Sequence, residues 1–177
     1  PPTTIKITEE GPVRVVVRLQ GEMSQAGQPD RISYDCRLLI YAESPYLRME
    51  VNFANHTGSS SHLEEAWLRF RSLPNEENYQ LAFGAGGKTP LSAGLKVADS
   101  AQVLVDQAGR VQWGGVLAAH TSQQEYSPAA LGWSDLTGKR WGLSVGVKAF
   151  RQQYPKGIQV KGDGEFNIYL APPSSPL

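Results

Sequence analysis

The sequence is poor in the residues on which several classes of protein function depend. It has one cysteine, Cys36, so no disulfide can form within the chain. That thiol alternates with apolar neighbours, which is typical of a small buried hydrophobe rather than a nucleophile. The histidines His56, His62 and His120 fit no metal-ligand spacing, and no cysteine pair supplements them. We therefore expect no metal site and no cofactor.

An excess of charge is also lacking, since 17 Lys and Arg balance 17 Asp and Glu. This balance argues against nucleic acid or an anionic membrane surface as a partner. No apolar run is long enough to span a bilayer, and no signal peptide is present. The chain opens on Pro1 rather than Met, which we interpret as an excised domain. The compartment stays open, and a secreted or periplasmic location is compatible with the missing disulfide.

Turn-forming residues are abundant, with 18 Gly and 12 Pro, and they separate short segments of strict apolar and polar alternation. Three such segments, at 13–19, 32–41 and 46–53, predict an antiparallel meander with one apolar and one charged face. A further alternating segment at 66–71 begins like a short helix, but its context favours a strand. The patterns predict an all-β antiparallel sandwich of two sheets with little or no helix. We expect one domain over 1–171 and a frayed tail at 172–177.

The segment 131–170 is the most informative part of the chain. Residues 132–136 lead into a turn at 137–140, in which Gly138 is free to adopt positive φ. The strand 141–147 then places bulky side chains on one face and Gly or Ser on the other, so a ligand ring or second layer can approach the small-residue face closely. A polar crossing at 150–156 and a hairpin around 161–164 follow.

Three quoted segments carry a resemblance to a known family. Gly132-Trp-Ser-Asp-Leu136, Arg140-Trp-Gly-Leu-Ser-Val-Gly-Val147 and Phe150-Arg-Gln-Gln-Tyr-Pro-Lys-Gly-Ile158 are similar to the central β-rich region of exo-rhamnogalacturonan lyases, which include YetA-like bacterial proteins. Glu10-Gly-Pro-Val-Arg-Val-Val-Val-Arg18 resembles another segment of that family. The resemblance implies a galactose-mutarotase-like sandwich in a longer polysaccharide lyase that carries further domains.

Five residues are the predicted contacts for a sugar. Trp133, interpreted as lying in a turn, is the tryptophan expected to be accessible for stacking on a sugar ring, and Asp135 follows it. Lyase chemistry on an acidic sugar needs a base and a cation near the developing enolate. Tyr154 and Lys156 are groups of that kind, with Arg151 nearby. A structural or solvated role for this cluster is the alternative.

The leading functional hypothesis is an accessory or central domain of a carbohydrate-active protein that contacts acidic polysaccharide such as pectin. The expected partners are carbohydrate and the other domains of the parent chain. By itself the chain is expected to lack lyase activity, although its parent is interpreted as a polysaccharide lyase. The alternative is a structural domain that braces its neighbours or mediates assembly without binding sugar.

Overall fold

The computed structural model describes residues 2–24, 31–56, 66–71, 76–86, 89–106, 108–118 and 130–171. The chain separates into two compact units, residues 1–62 and residues 63–177. Every regular element within the described ranges is a β-strand, and every strand pair is antiparallel. The predicted all-β antiparallel fold class is therefore confirmed.

The first unit contains one four-stranded sheet in the order β1-β2-β3-β4. Its strands are β1 (Thr4–Glu10), β2 (Arg14–Ser24), β3 (Arg31–Tyr41) and β4 (Leu47–Asn55). The register places Leu19 opposite Cys36, and Cys36 opposite Val51. Directly opposed residues share a face, so this register gathers the apolar side chains on one side of the sheet, as the alternation predicted.

The opposite face of this sheet is polar and carries a cross-strand ion pair. Arg18 donates hydrogen bonds from its guanidinium to the carboxylate of Asp35, and the Gln20 amide nitrogen donates to the same carboxylate at 3.2 Å. The Arg18 hydrogen bonds hold the pKa of Asp35 below its ordinary value. Arg18 of β2 and Asp35 of β3 therefore neutralise each other across neighbouring strands on this polar face.

The apolar face of the first unit is incompletely covered. Ile5 and Ile7 on β1 are 62% and 61% exposed, and Leu47 on β4 is 53% exposed. In the middle of the sheet, by contrast, Cys36 is 8% exposed, and burial raises the pKa of its thiol. A single sheet layer shields its central strands much better than its edges, which accounts for this gradient.

The second unit is a sandwich of two sheets. A four-stranded sheet has the order β11-β10-β6-β7, and a five-stranded sheet has the order β5-β13-β12-β8-β9. The strands are β5 (Ala66–Arg71), β6 (Asn78–Ala85), β7 (Leu91–Lys96), β8 (Ser100–Val105), β9 (Val111–Gly115), β10 (Ala130–Thr137), β11 (Gly142–Gly146), β12 (Lys156–Lys161) and β13 (Glu165–Ala171).

The two sheets of this unit share one hydrophobic core. Phe83 of β6, Val103 of β8 and Phe166 of β13 are at most 1% exposed and belong to the same buried cluster. Phe83 also contacts Trp113 edge-to-face, with ring centroids 6.0 Å apart. Because each strand sends alternate residues into this core, its other residues form two outward faces.

Several local predictions are confirmed in this unit and others are wrong. The strand 66–71 and the turn before β13 are confirmed, and Gly164 in that turn has φ +83°. The turn predicted around Trp133 is wrong, because Ala130–Thr137 is a strand. Gly138 lies in a turn but has no positive φ; that conformation occurs at Gly132 instead. The strand β7 was missed because its Ser, Ala and Gly residues weaken the alternation.

Candidate functional site

The outward face of the four-stranded sheet in the second unit carries few side chains larger than serine near its centre. Gly142, Ser144 and Gly146 of β11 are exposed there, as the alternation of 141–147 predicted. On the same strand Leu143 and Val145 are partly buried and pack against the core. The outward residues of the neighbouring strands around the centre of this face are Trp133, Asp135, Ala82, Gly84, Ser92 and Gly94.

Trp133 lies flat on this face, over the backbone of Gly84. A Cβ atom added to Gly84 would be 2.6 Å from both Cδ1 and Cε2 of the indole, and nearer still to the Nε1 atom between them. This set of distances places the point over the five-membered ring rather than beside its edge. One indole face is therefore covered by the sheet, while the side chain as a whole is only half-buried. We call Trp133 with its supporting Gly84 the Trp133 platform.

Asp135 forms a polar rim beside the Trp133 platform. Its Oδ2 atom accepts a hydrogen bond from the Thr137 hydroxyl at 2.7 Å, and its Oδ1 atom accepts one from the Ser144 hydroxyl. Asp135 and Ser144 are opposite each other in the register of β10 and β11. An ionised carboxylate has about four acceptor positions, so Asp135 keeps capacity for further hydroxyl groups.

Ser134 points the other way, into the core. It is 0% exposed, and its hydroxyl has no hydrogen-bond partner among the described residues. A side chain in that position cannot reach a ligand on the sheet face. This geometry agrees with the absence of a hydrolase motif around Ser134 in the sequence.

The other three predicted contacts, Arg151, Tyr154 and Lys156, come later in the sequence than the strand that carries Trp133 and Asp135. Arg151 and Tyr154 are exposed in the turn segment after β11, and the Tyr154–Pro155 peptide is cis. The Tyr154 ring reaches toward the turn at Gly109, where an added Cβ would be 3.7 Å from Cε1. No hydrogen bond or ion pair within the described ranges joins Arg151, Tyr154 or Lys156 to Trp133 or Asp135.

Lys156 begins β12 and is half-buried. Its ammonium group donates a hydrogen bond to the backbone carbonyl of Leu170 at 3.2 Å, and burial lowers its pKa. A lowered lysine pKa suits a general base, but the described residues place no second catalytic group in contact with this amine. Its geometry therefore supports a structural role at the end of the sheet as well as a chemical one.

The five-stranded sheet presents a second polar face that the sequence analysis did not select. Trp67, 40% exposed, lies on β5 at the edge of this sheet, and the Arg69 guanidinium carbon lies 4.2 Å from the centroid of its ring. The alternation of Trp67, Arg69 and Arg71 was visible in the sequence. Their position against the polar residues of β13 was not, because it depends on pairing between strands about 100 residues apart.

Neither face contains a metal site in the part of the chain that the structure describes. No cluster of three or more His, Cys, Asp or Glu side chains occurs there. His56 donates to or accepts from the Ser33 hydroxyl at 2.7 Å, while His62 and His120 lie outside the described residues. Across the same ranges, no helix has the length and apolar character needed to cross a bilayer.

The fold and the Trp133 platform define a β-sandwich domain that presents an aromatic side chain on a sheet face. Residues 3–79 match the family model described as the PcRGLX-like protein central beta sandwich domain. This match confirms the resemblance to the rhamnogalacturonan lyase family over residues 3–79. The matched segment contains residues 10–18, one of the stretches that carried the resemblance, but not the stretches within 132–158. Searches of curated proteins and of solved structures found no match.

Proposed function

We propose that this chain is a carbohydrate-contacting domain of a rhamnogalacturonan lyase-like protein, and that it meets acidic polysaccharide at the Trp133 platform. The observation that carries the proposal is the half-buried indole of Trp133 lying against Gly84 on the outward side of the sheet. A pyranose ring has apolar C–H faces that pack on such an indole. The small residues around Trp133 let that ring approach the sheet closely.

Asp135 and Ser144 supply the polar part of the proposed site. Hydroxyl groups at the edge of a stacked sugar would donate to Asp135, which Thr137 and Ser144 already orient. The negative charge of Asp135 disfavours a carboxylate at this position. The platform therefore suits a ring that presents hydroxyls rather than the acidic group of the polymer.

Arg151, Tyr154 and Lys156 remain proposed contacts for a longer segment of the polysaccharide. The exposure of Arg151 and Tyr154 supports this role, because both can reach a ligand without rearrangement of the core. Lys156 is the weakest of the three, since its amine already donates to a backbone carbonyl.

Affinity electrophoresis in gels containing rhamnogalacturonan tests the proposal. Trp133→Ala should weaken retardation by about tenfold in apparent affinity or more, the loss expected for an aromatic anchor worth ~1.4 kcal/mol or more. The matched control is Tyr46→Ala, which removes a 78% exposed aromatic from the first unit. Retardation that survives Trp133→Ala unchanged would remove the platform from the binding site.

A second candidate function, bracing of neighbouring domains in the parent protein, is favoured by the exposed apolar face of the first unit. Ile5, Ile7 and Leu47 on that face are each more than half exposed. They lie on the two edge strands of the sheet, where another domain of the parent protein would cover them. If bracing is the function, charged substitutions of Ile5 and Ile7 should weaken association with the parent's other domains, while Trp133→Ala should leave it intact.

A further inference from the structure

The face formed by β5 and β13 combines an exposed aromatic ring, an exposed guanidinium and a buried polar network. We call it the Trp67–Arg69 face. The register places Trp67 opposite Tyr169, and Arg69 opposite Asn167. On β5 the side chains that alternate with them, including Leu68 and Phe70, pack against the core. The outward side chains of this edge strand are therefore held on a fixed backbone.

The network beneath Arg69 is buried and internally satisfied. Asn167, 4% exposed, donates from its amide nitrogen to Gln159 Oε1 and to Glu165 Oε1, both at 3.0 Å. Tyr169 donates from its hydroxyl to the same Gln159 oxygen at 3.3 Å. The ammonium group of Lys161 donates a hydrogen bond to Glu165 Oε1 at 2.7 Å, and this hydrogen bond lowers the pKa of the Glu165 carboxyl. A network of this kind fixes the positions of the groups that rest on it.

Arg69 rests on this network through Nε alone. Nε donates to Asn167 Oδ1 at 3.4 Å and lies 3.6 Å from the Glu165 carboxylate, while the guanidinium covers Trp67. No hydrogen bond to a described residue uses its two terminal nitrogens, and the side chain is 51% exposed. Those nitrogens form the pair of parallel donors that a carboxylate accepts in bidentate fashion.

The described residues of the Trp67–Arg69 face carry more positive than negative side chains. The described residues supply three cations, Arg69, Arg71 and Lys161, against the two carboxylates of Asp163 and Glu165. Lys161 and Asn167 already donate hydrogen bonds to the Glu165 carboxylate, so this carboxylate does not need Arg69 as a partner. Among the residues that the structure describes on this face, one positive charge is therefore in excess beside an exposed indole.

We propose that the Trp67–Arg69 face is a second sugar-binding site, separate from the Trp133 platform, which binds a carboxylate-bearing pyranose. Arg69 pairs with the carboxylate, and the sugar ring packs against the exposed part of Trp67. The two outward faces of the sandwich then differ in chemistry: Asp135 beside the platform disfavours an anion, whereas Arg69 selects one.

Isothermal titration of the whole chain with a galacturonate trisaccharide and with its methyl ester tests this site. The methyl ester keeps the sugar rings but removes their negative charge. Wild type should therefore bind the acid at least about tenfold more tightly than the ester, the difference expected for one hydrogen bond to a charged group. Arg69→Gln should abolish that preference, and Arg69→Lys should keep part of it because a point charge lacks the paired donors. Trp67→Ala should weaken binding of both ligands.

Two controls show whether the preference depends on the charge and geometry of Arg69 itself. Arg48→Gln removes an exposed arginine of the first unit and should not change the preference for the acid. Melting curves of the Arg69 variants should match wild type, because exposed ion pairs contribute little to stability. Equal affinity for acid and ester, absence of binding to the acid, or a preference that Arg69→Gln leaves intact would overturn the proposal.

Discussion

Replacing Gly84 by alanine should displace Trp133 without removing any functional side chain. The added Cβ would be 2.6 Å from two ring atoms, whereas carbon atoms in contact lie about 3.5–4.0 Å apart. The indole must therefore move by at least about 1 Å, the smallest difference between those separations, since Nε1 lies nearer still. Since the indole lies on the outward side of the sheet and Gly84 is held within strand β6, we expect the ring to lift away from the sheet.

Gly94 provides a matched control on the neighbouring strand. It lies on the same face, has no positive φ, and an added Cβ there would meet nothing within 4 Å. Gly94→Ala should stabilise the chain by about 0.4–1 kcal/mol, because alanine reduces the entropy of the unfolded state. Gly84→Ala receives the same gain but also suffers an overpacking cost of about 1–3 kcal/mol.

The two variants should therefore differ in melting temperature by roughly 2–12 °C, at about 2–4 °C per kcal/mol for a chain of this length. Intrinsic fluorescence is a suitable probe because all four tryptophans lie in the second unit. Gly84→Ala should also shift the emission to longer wavelength and weaken sugar binding. Equal melting temperatures with unchanged emission would refute the placement of Trp133 on Gly84.

Three further predictions concern stability. Val145→Asp should destabilise the chain by several kcal/mol because it places a charge against the core. Ser144→Asp on the exposed face should cost only about 1 kcal/mol, from its like charge opposite Asp135, and calorimetry that shows equal losses would contradict the one-sided strand. Ser134→Ala should stabilise by about 1 kcal/mol, because it removes a buried hydroxyl without a partner, and a loss in urea denaturation would mean that the hydroxyl is satisfied. The Lys161 hydrogen bond lowers the pKa of Glu165 from 4.5, so its contribution to stability is present above that value and is lost as the pH falls through the folded-state pKa. The stability gap between wild type and Glu165→Gln should therefore be wider at about pH 6.5 than at about pH 3. A gap independent of pH would show that the Glu165 carboxyl has the same pKa in the native and unfolded states, and so that the Lys161 hydrogen bond does not lower it.

The fold class and the direction of most side chains could be predicted from the sequence, because strand alternation is a local property. Residues 141–147 illustrate this: their period of two determined which side chains turn toward the core and which stay outside. The same holds for 66–71. Local patterns failed where residues of low strand propensity occupy the middle of a strand, as Ser92, Ala93 and Gly94 do in β7, or where a glycine suggested a turn inside a strand, as at Gly132.

Tertiary structure decided which outward residues belong together. Trp133 gained its support from Gly84, which precedes it by about 50 residues, because β10 pairs with β6. Arg69 lies on Asn167 because β5 pairs with β13. Periodicity gives the face on which a side chain lies, but strand order and register determine its neighbours across the sheet, and these depend on long-range pairing that a local pattern does not contain.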